Sequence, residues 1–340
     1  MSLRKKFKRV LLVFLNLLGV TSLVFHRQFR DRKKILILLY HRICQPENFF
    51  QPAVSPERFE EQIRFISQHF EVVSTSRMFE IMDKKQLPQK PLAVITFDDG
   101  YRDNLETAYP ILKKYNVPAT IFLATESLEG APMWTSRVEA MFKNTAIKNL
   151  TVESLSKERT FELGSYEDRM KICHEVKSEM KQVPDSHRQT ILEELEERMG
   201  GCKLSAEMLS WDDVRQMMQD PLIEFGSHSV SHRMLANLSL PEILSELEQS
   251  KEKIRNETGK EPCFISYPGN SYDVRVEKAA EQVGYEAAFA VDQELADFSQ
   301  NRFSIKRVHI EDEPLYSFRA EICLITSFFR RLFGRKKLFQ

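Results

Sequence analysis

The chain has 340 residues, 42% of them apolar and 29% charged, and its 49 lysines and arginines equal its 49 aspartates and glutamates. This is the composition of an ordinary globular protein of one or two domains, and the balanced charge gives no reason to expect a nucleic-acid partner. The five cysteines are widely spaced and contain no Cys-x-x-Cys pair, which argues against a disulfide framework.

An apolar run at residues 10–25 lies between two basic clusters near the start of the chain. The run is shorter than the roughly twenty residues that a membrane span requires. We predict that residues 1–34 form an uncleaved membrane anchor, single-pass or peripheral; a cleaved signal peptide and a helix lying in the membrane interface are the alternatives. Because both flanks are basic, the sequence does not predict which side of the membrane the domain faces.

Strand and helix patterns alternate from residue 35 to residue 310. Short apolar runs predict strands, and apolar residues at helical spacing predict helices, as in the helix that begins at Ser55 and Pro56. Strands are predicted at residues 35–39, 72–73, 91–97, 119–123, 222–225, 264–267, 287–291 and 304–310, and helices at 56–70, 104–114, 239–257 and 274–283. This order predicts an α/β domain, formed by residues 35–125 and 206–312, with a parallel sheet that is open or closed into a barrel.

Two sections stand apart from this alternation. Residues 126–205 are charged and helix-rich, which predicts an inserted helical subdomain that covers the site, binds substrate or is a simple elaboration. Residues 313–340 end in a mixture of aromatic residues and cations. That tail suits an anionic membrane surface, with a frayed terminal helix as the alternative.

Two adjacent carboxylates, Asp98 and Asp99, follow the predicted strand at residues 91–97 and precede Gly100. The carboxyl end of an internal strand is where α/β folds place their catalytic groups. A lone Asp-Asp-Gly sequence is more often a polar turn. A catalytic role for the two aspartates is therefore supported only together with a second motif further along the chain.

That second motif is His228 and His232, four residues apart after another predicted strand. One helical turn between them would place both imidazoles on the same side. Two histidines and a carboxylate from elsewhere make an open three-ligand site that suits Zn²⁺ and also accepts Co²⁺, Ni²⁺ or Fe²⁺. One of the adjacent aspartates would then bind the metal while the other takes a proton from water.

His41 follows the first predicted strand, at the same end of a parallel sheet as Asp98. A hydrolysis that expels an amine needs a proton donor, and imidazole titrates near neutral pH. A single histidine is more often structural, but beside the other two motifs His41 becomes a candidate acid.

Residues 96–101 and 228–232 resemble the first two motifs of the polysaccharide deacetylases, the NodB-homology proteins of carbohydrate esterase family four. The resemblance covers residues 35–310 apart from the insertion. It implies a distorted (β/α) barrel and metal-dependent hydrolysis of N-acetyl groups on amino sugars. It also implies the roles of four residues, with Asp98 as the general base and Asp99, His228 and His232 as the metal ligands.

The resemblance extends to residues 38–41, which are similar to the opening motif of a bacterial exopolysaccharide-deacetylase branch. In that branch the proton-donating histidine comes from the first strand, which implies this role for His41. His309 is the runner-up for the acid, and Asp292 is a candidate for the fourth motif.

The third motif departs from the family pattern of Arg-x-Pro followed by an aromatic residue, because residues 266–269 read Ser-Tyr-Pro-Gly. The arginine that steadies the base is therefore missing at that place, and Arg307 is a candidate replacement from another strand. Gly269 could still donate its backbone N–H to the oxyanion. Tyr267 and Tyr101 are expected on the substrate side of the same site.

The sequence thus predicts a metal-dependent deacetylase that acts on an N-acetylated glycan or glycolipid of a bacterial envelope. One alternative is a deacetylase or deformylase of a lipid-linked amino sugar at the membrane. A sugar-binding barrel without catalysis is a second, against which the complete set of two aspartates and two histidines argues. The third is a membrane-bound scaffold, which would have no reason to hold a stoichiometric metal ion.

Overall fold

The computed structural model describes residues 10, 12–45, 53–200 and 208–332. The strands are β1 (Lys34–Tyr40), β2 (Arg42–Ile43), β3 (Ala53–Val54), β4 (Glu71–Val72), β5 (Leu92–Phe97), β6 (Ala119–Leu123), β7 (Asn149–Val152), β8 (Arg159–Glu162), β9 (Ile223–Ser227), β10 (Phe264–Ser266), β11 (Ala287–Phe289), β12 (Ala296–Asp297) and β13 (Val308–His309). The helices are α1 (Val20–Gln28), α2 (Pro56–His69), α3 (Thr75–Asp83), α4 (Tyr109–Tyr115), α5 (Trp134–Asn144), α6 (Tyr166–Met180), α7 (Asp185–Met199), α8 (Trp211–Met217), α9 (Leu240–Thr258), α10 (Val274–Gln282), α11 (Leu315–Ile322) and α12 (Ile325–Leu332).

Nine strands form one curled sheet in the order β11-β10-β9-β6-β5-β1-β12, with β4 paired to β5 and β13 to β1. Among the described residues its strand pairs are parallel, except for β1 with β12. The chain at residues 305–309 contacts both sides of this sheet, because Ile305 bridges Phe289 of β11, at one end of the order, while β13 pairs with β1, which is next to β12 at the other end. The sheet therefore curls towards closure, which confirms the predicted distorted (β/α) barrel.

The centre of the barrel follows from the apolar composition of its strands. β1 and β5 are buried along nearly their whole length, as expected of parallel strands that are covered on both faces. Helix α2 turns Phe59, Ile63 and Ile66 towards the core at helical spacing. Helix α9 begins with a capping box formed by Ser239 and Glu242.

The insertion at residues 126–205 has a hydrophobic core of its own, which includes Phe142, Val176 and Ile191. Helices α6 and α7 match the two helices that the sequence predicts at residues 169–181 and 186–199, whereas α5 and the antiparallel hairpin of β7 and β8 are not predicted elements. Each hairpin strand has only 4 residues, too few for an alternating pattern to stand out between helices.

Two predicted elements differ from the structure in kind. The predicted helix at residues 104–114 begins as the π-helical turn Asn104–Ala108 before α4. The predicted strand at residues 304–310 is reduced to β13 and the bridge at Ile305, because Arg302–Ser304 forms a 3₁₀ turn.

The apolar run near the amino terminus is not one continuous helix. Its helical residues 12–17 are separated from α1 at Gly19, where φ is 72°. Helix α1 lies against α11, where Arg319 donates a hydrogen bond to the Ser22 hydroxyl at 2.9 Å. None of the helices in the described ranges is both long and apolar enough to cross a bilayer. Of the predicted terminal segments, residues 1–9, residue 11 and residues 333–340 lie outside the described residues.

Candidate active site

The side chains that the sequence singles out meet at the carboxyl ends of three strands of the same sheet. Asp98 and Asp99 follow β5, His228 follows β9 and His41 follows β1. The backbone holds these ends together, since Asp98 donates its N–H to the Tyr40 carbonyl at 3.0 Å. Because parallel strands present their carboxyl ends at one edge, groups far apart in sequence converge there.

Asp98 forms a buried, bidentate ion pair with Arg307. The two guanidinium nitrogens donate to the two carboxylate oxygens, each at 2.8 Å, and the arginine has no exposed surface. Ser266 donates its hydroxyl to the same carboxylate at 2.9 Å. Burial alone would raise the pKa of Asp98, but the guanidinium outweighs burial and lowers that pKa to about 2. Asp98 is therefore ionised and fixed in orientation at neutral pH.

Asp99 lies opposite the two histidines of the second motif. Its Oδ1 is 3.3 Å from Nε2 of His228 and 3.4 Å from Nε2 of His232, and candidate ligand atoms of the three residues lie within 4.8 Å of one another. Ligand atoms about 2.1 Å from a shared tetrahedral ion lie about 3.4 Å apart, so these three side chains fit a Zn²⁺-type site. All three are buried. A site with three protein ligands keeps a coordination position for water or substrate.

The segment of residues 228–232 is a loop, so the helical turn predicted between the two histidines is wrong. Ser229 and His232 both adopt left-handed conformations, with φ of 62° and 55°, and this brings the imidazoles together without a helix. Glu246 on α9 fixes the loop by accepting hydrogen bonds from the N–H groups of Val230 and Ser231, both at 3.0 Å. Such strained backbone persists only where its surroundings hold it, and it is common at functional sites.

The surroundings of the two imidazoles set their orientation and their protonation. His228 shares a hydrogen bond of 2.8 Å between Nδ1 and the Ser266 carbonyl, which sets the tautomer and points Nε2 at Asp99. Burial would lower the pKa of His228, but the carboxylates of Asp98 and Asp99 outweigh burial and raise it. Burial lowers the pKa of His232 to about 3, which leaves this ring neutral and able to donate its lone pair.

His41 and His309 lie together at the same edge, with ring centroids 5.5 Å apart. The carbonyl of His41 accepts a hydrogen bond from the Asn104 amide at 2.9 Å, which holds the end of β1 in place. Burial lowers the pKa of His41, and the charges of Asp99 and Asp98 act in the opposite direction. Both histidines named as candidate acids are thus within electrostatic or ring contact of the site.

The remaining candidates lie in different surroundings. Gly269 has φ of 55° in the turn after β10, and a Cβ there would collide with the Met234 side chain. Tyr267 is buried in the core, where its hydroxyl donates to the Phe303 carbonyl at 2.9 Å, so its side chain is not open to a substrate. Tyr101 is also buried, under the Arg42 guanidinium at 4.7 Å, and Asp292 is exposed beside Tyr272.

Three contacts at the site were not anticipated from the sequence. They are the loop support by Glu246, the double role of Ser266 and the hydrogen bond of 3.1 Å from the Trp134 indole to the His232 carbonyl. The position of Ser266 in the third motif is a signal that could have identified it. Glu246 and Trp134 lie on amphipathic helices, where no sequence signal separates them from packing residues.

Comparisons with known proteins agree with this geometry. The family model described as "Polysaccharide deacetylase" matches residues 85–288 of this chain. The Bacillus subtilis protein YxkH, whose name assigns it provisionally to the polysaccharide deacetylases, is 24% identical over 280 residues, which are 82% of this chain and 71% of that protein. A poly-beta-1,6-N-acetyl-D-glucosamine N-deacetylase of Staphylococcus aureus is 41% identical over 73 residues, which are 22% of this chain and 25% of that protein.

The fold is similar to that of a solved Streptococcus pyogenes deacetylase, PplD, in complex with acetate. The TM-score is 0.58 at 20% identity, and the match covers 84% of this chain and 95% of that one. Because the family model spans more than half of the chain and includes both the aspartate and the histidine motifs, this chain belongs to the polysaccharide deacetylase family.

Proposed function

We propose that this protein is a metal-dependent hydrolase that removes N-acetyl groups from amino sugars of a polysaccharide or cell-envelope glycan. The observation that carries the proposal is the Asp99, His228 and His232 cluster directly beside the Asp98–Arg307 ion pair. The activity named for the Staphylococcus aureus relative supports an N-acetylglucosamine polymer as the substrate class.

The metal is a divalent ion, with Zn²⁺ as the first candidate, because one carboxylate and two imidazoles are its usual catalytic ligands. Co²⁺, Ni²⁺ and Fe²⁺ also accept this ligand set. When bound, such an ion polarises the amide carbonyl and lowers the pKa of a water molecule.

The residues of the chain supply the proton transfers. Asp98, ionised and held by Arg307, takes a proton from the attacking water. His41 gives a proton to the leaving amine: burial lowers its pKa, but the charges of Asp99 and Asp98 favour the imidazolium that this step requires. The N–H of Gly269 donates a hydrogen bond to the amide oxygen as negative charge develops on it.

Acetate release from N-acetylglucosamine oligomers, with and without a chelator, tests this function. We expect Asp98→Asn to keep its metal content and to lose about 10²–10⁴-fold in kcat, the usual contribution of a general base. We expect His228→Ala to lose both metal and activity. Chelator-insensitive acetate release, or full activity of Asp98→Asn, would contradict the proposal.

We propose in addition that the protein associates with a membrane through its N-terminal helices. Six of the ten large apolar side chains that are exposed in the described residues support this, and we call them the N-terminal apolar surface: Val10, Val13, Phe14, Leu17, Leu18 and Leu23. Basic clusters flank this segment in the sequence, which suits an anionic bilayer. This surface also favours the second candidate function, which is deacetylation or deformylation of a lipid-linked amino sugar. Measuring acetate or formate release from polyprenyl-linked sugars, and comparing it with release from a polymer, would distinguish the two functions.

A further inference from the structure

The inserted subdomain brings a second positive charge to the candidate active site. Lys181 directly follows α6, and its Cε lies 3.9 Å from the position that a Cβ on Gly269 would take. Its carbonyl accepts a hydrogen bond of 3.0 Å from the Asn237 amide, in the turn that follows the His232 loop. The insertion is thus connected to both loops that border the site, and Lys181 stands where they meet.

Lys177 on α6 and Lys181 at its carboxyl end differ in their partners. Lys177, one helical turn earlier, is buried and forms an ion pair with Glu139 of α5. The half-buried Lys181 ammonium forms no hydrogen bond and no ion pair with any residue that the structure describes. A partly buried cation without a hydrogen-bonded partner loses hydration without a direct contact to replace it, unless a ligand supplies the opposite charge.

The charges of the site leave Lys181 available to a ligand. Asp98 is neutralised by Arg307, and Lys177 is neutralised by Glu139. Asp99 interacts electrostatically with Lys181, but a divalent ion held by Asp99 would more than cancel this carboxylate. Burial, followed by the repulsion from Lys177, lowers the pKa of Lys181 to about 8, so the ammonium remains mostly protonated at neutral pH. With its ion, the site carries surplus positive charge.

We propose that Lys181 binds an anionic group of the substrate, a carboxylate or a phosphate carried close to the N-acetyl group that is removed. The insertion then forms one wall of the substrate site and selects acidic over neutral amino sugars. The inference rests on the proposed function for the claim that the ligand is an amino sugar. It rests on the position of Lys181 for the claim that this sugar is negatively charged. An acidic glycan would supply a carboxylate, whereas a lipid-linked sugar would supply a phosphate.

Binding of three small sugars to the metal-loaded full chain tests the proposal. N-acetylmuramic acid and N-acetylglucosamine 1-phosphate carry the two anionic groups, and N-acetylglucosamine is the neutral reference. The variants are Lys181→Gln, Lys181→Arg and, as a control, Lys171→Gln, which alters an exposed lysine of the same helix. We expect the wild type to bind one of the anionic sugars about tenfold more tightly than the neutral one, the gain of one charge-assisted hydrogen bond.

Lys181→Gln should abolish this preference without changing metal content, Lys181→Arg should restore it, and Lys171→Gln should leave it unchanged. A preference for the carboxylate sugar points to an acidic polymer, and a preference for the phosphate sugar points to a lipid-linked substrate. The proposal is overturned if the wild type shows no preference, or if the preference persists in Lys181→Gln. A Lys181-dependent preference without acetate release would contradict the proposed hydrolysis but would still support the anion-binding site.

Discussion

At the scale of single residues, the Asp98–Arg307 pair has the largest energetic consequence. Removing one partner of a buried ion pair costs about 3–5 kcal/mol because the other charge is left uncompensated. We therefore expect Arg307→Gln to lower the free energy of unfolding by about this amount at pH 7, measured by urea denaturation. The double variant Asp98→Asn/Arg307→Gln, in which neither charge remains, should recover part of the loss.

The same pair predicts a pH dependence with a definite sign. In the wild type the folded-state pKa of Asp98, about 2, lies below its unfolded value of about 3.9. Ionised Asp98 therefore adds stability above about pH 4, and this stability is lost as the pH falls through 2. Without Arg307, burial is the largest influence on this carboxyl and only the smaller effects of His228 and His41 oppose it, so we expect its pKa to rise above the unfolded value.

Acidification should consequently reduce the difference in unfolding free energy between Arg307→Gln and the wild type. The measurement is a pair of urea titrations at pH 7 and pH 4.5, with the double variant as the control for other titrating groups. A difference that is equal at the two pH values would show that Asp98 is not the group responsible.

At the scale of elements, α9 supports the loop that carries the two candidate metal ligands, through Glu246. The carboxylate accepts hydrogen bonds from Val230, Ser231 and the Ser231 hydroxyl, and so holds a loop with two left-handed residues. We expect Glu246→Gln to weaken Zn²⁺ affinity about 10–100-fold, the usual cost of losing a group that orients ligands. Competition with a chromogenic chelator measures this affinity.

Glu248→Gln is the matched control for this prediction, because Glu248 is exposed and lies two residues further along the same helix. Its metal affinity should equal that of the wild type. An equal loss of affinity in both variants would mean that the charge of the helix, and not the loop contact, sets the affinity.

The turn after β10 gives a second prediction at this scale. Gly269→Ala would add left-handed strain, about 1–3 kcal/mol for such residues, and a collision with Met234 beside the site. Gly259, which follows α9, has a similar φ of 71°, but a Cβ added there would meet no other atom within 4 Å. Gly259→Ala therefore adds the backbone strain without a collision. We expect Gly269→Ala to reduce both the melting temperature and kcat/KM, whereas Gly259→Ala should affect only the melting temperature. Normal turnover in Gly269→Ala would argue against the proposed role of this turn.

At the scale of the whole molecule, the N-terminal helices are docked on the barrel and expose apolar side chains to solvent. Burying three such side chains in a bilayer gains about 1.5–3 kcal/mol for each of them. We therefore expect the full chain to float with vesicles rich in phosphatidylglycerol. The triple variant Phe14→Ser/Leu17→Ser/Leu18→Ser should bind them at least about tenfold more weakly.

The double variant Leu87→Ser/Leu240→Ser controls for exposed apolar residues elsewhere on the surface. It should float as the wild type does, and added salt should weaken the binding of both, because basic residues contribute through charge. Undiminished flotation of the triple variant would show that the N-terminal apolar surface is not the membrane contact.

In the insertion, local sequence patterns predict the helices but not the tertiary contacts. Helical periodicity predicts α6 and α7 closely, at residues 169–181 and 186–199 against the observed Tyr166–Met180 and Asp185–Met199. The same sequence left open whether this section reaches the site, because contacts such as that of Trp134 with the His232 carbonyl, 98 residues away, have no periodic signature. The helical turn between His228 and His232 was wrong for a related reason, since spacing alone does not distinguish a helix from a loop that tertiary contacts hold in left-handed conformations.

By itself, the sequence determined the alternation of strands and helices, and it placed Asp98, Asp99, His228 and His41 at strand ends. These features are local: hydrophobic periodicity and turn residues act over a few positions, so they can be read without coordinates. Only the tertiary structure decided that Arg307 pairs with Asp98 across 209 residues and that Lys181 stands beside Gly269. The physical reason is that closing the barrel selects which distant strand ends become neighbours, and the partners of a buried charge are known only once that choice is made.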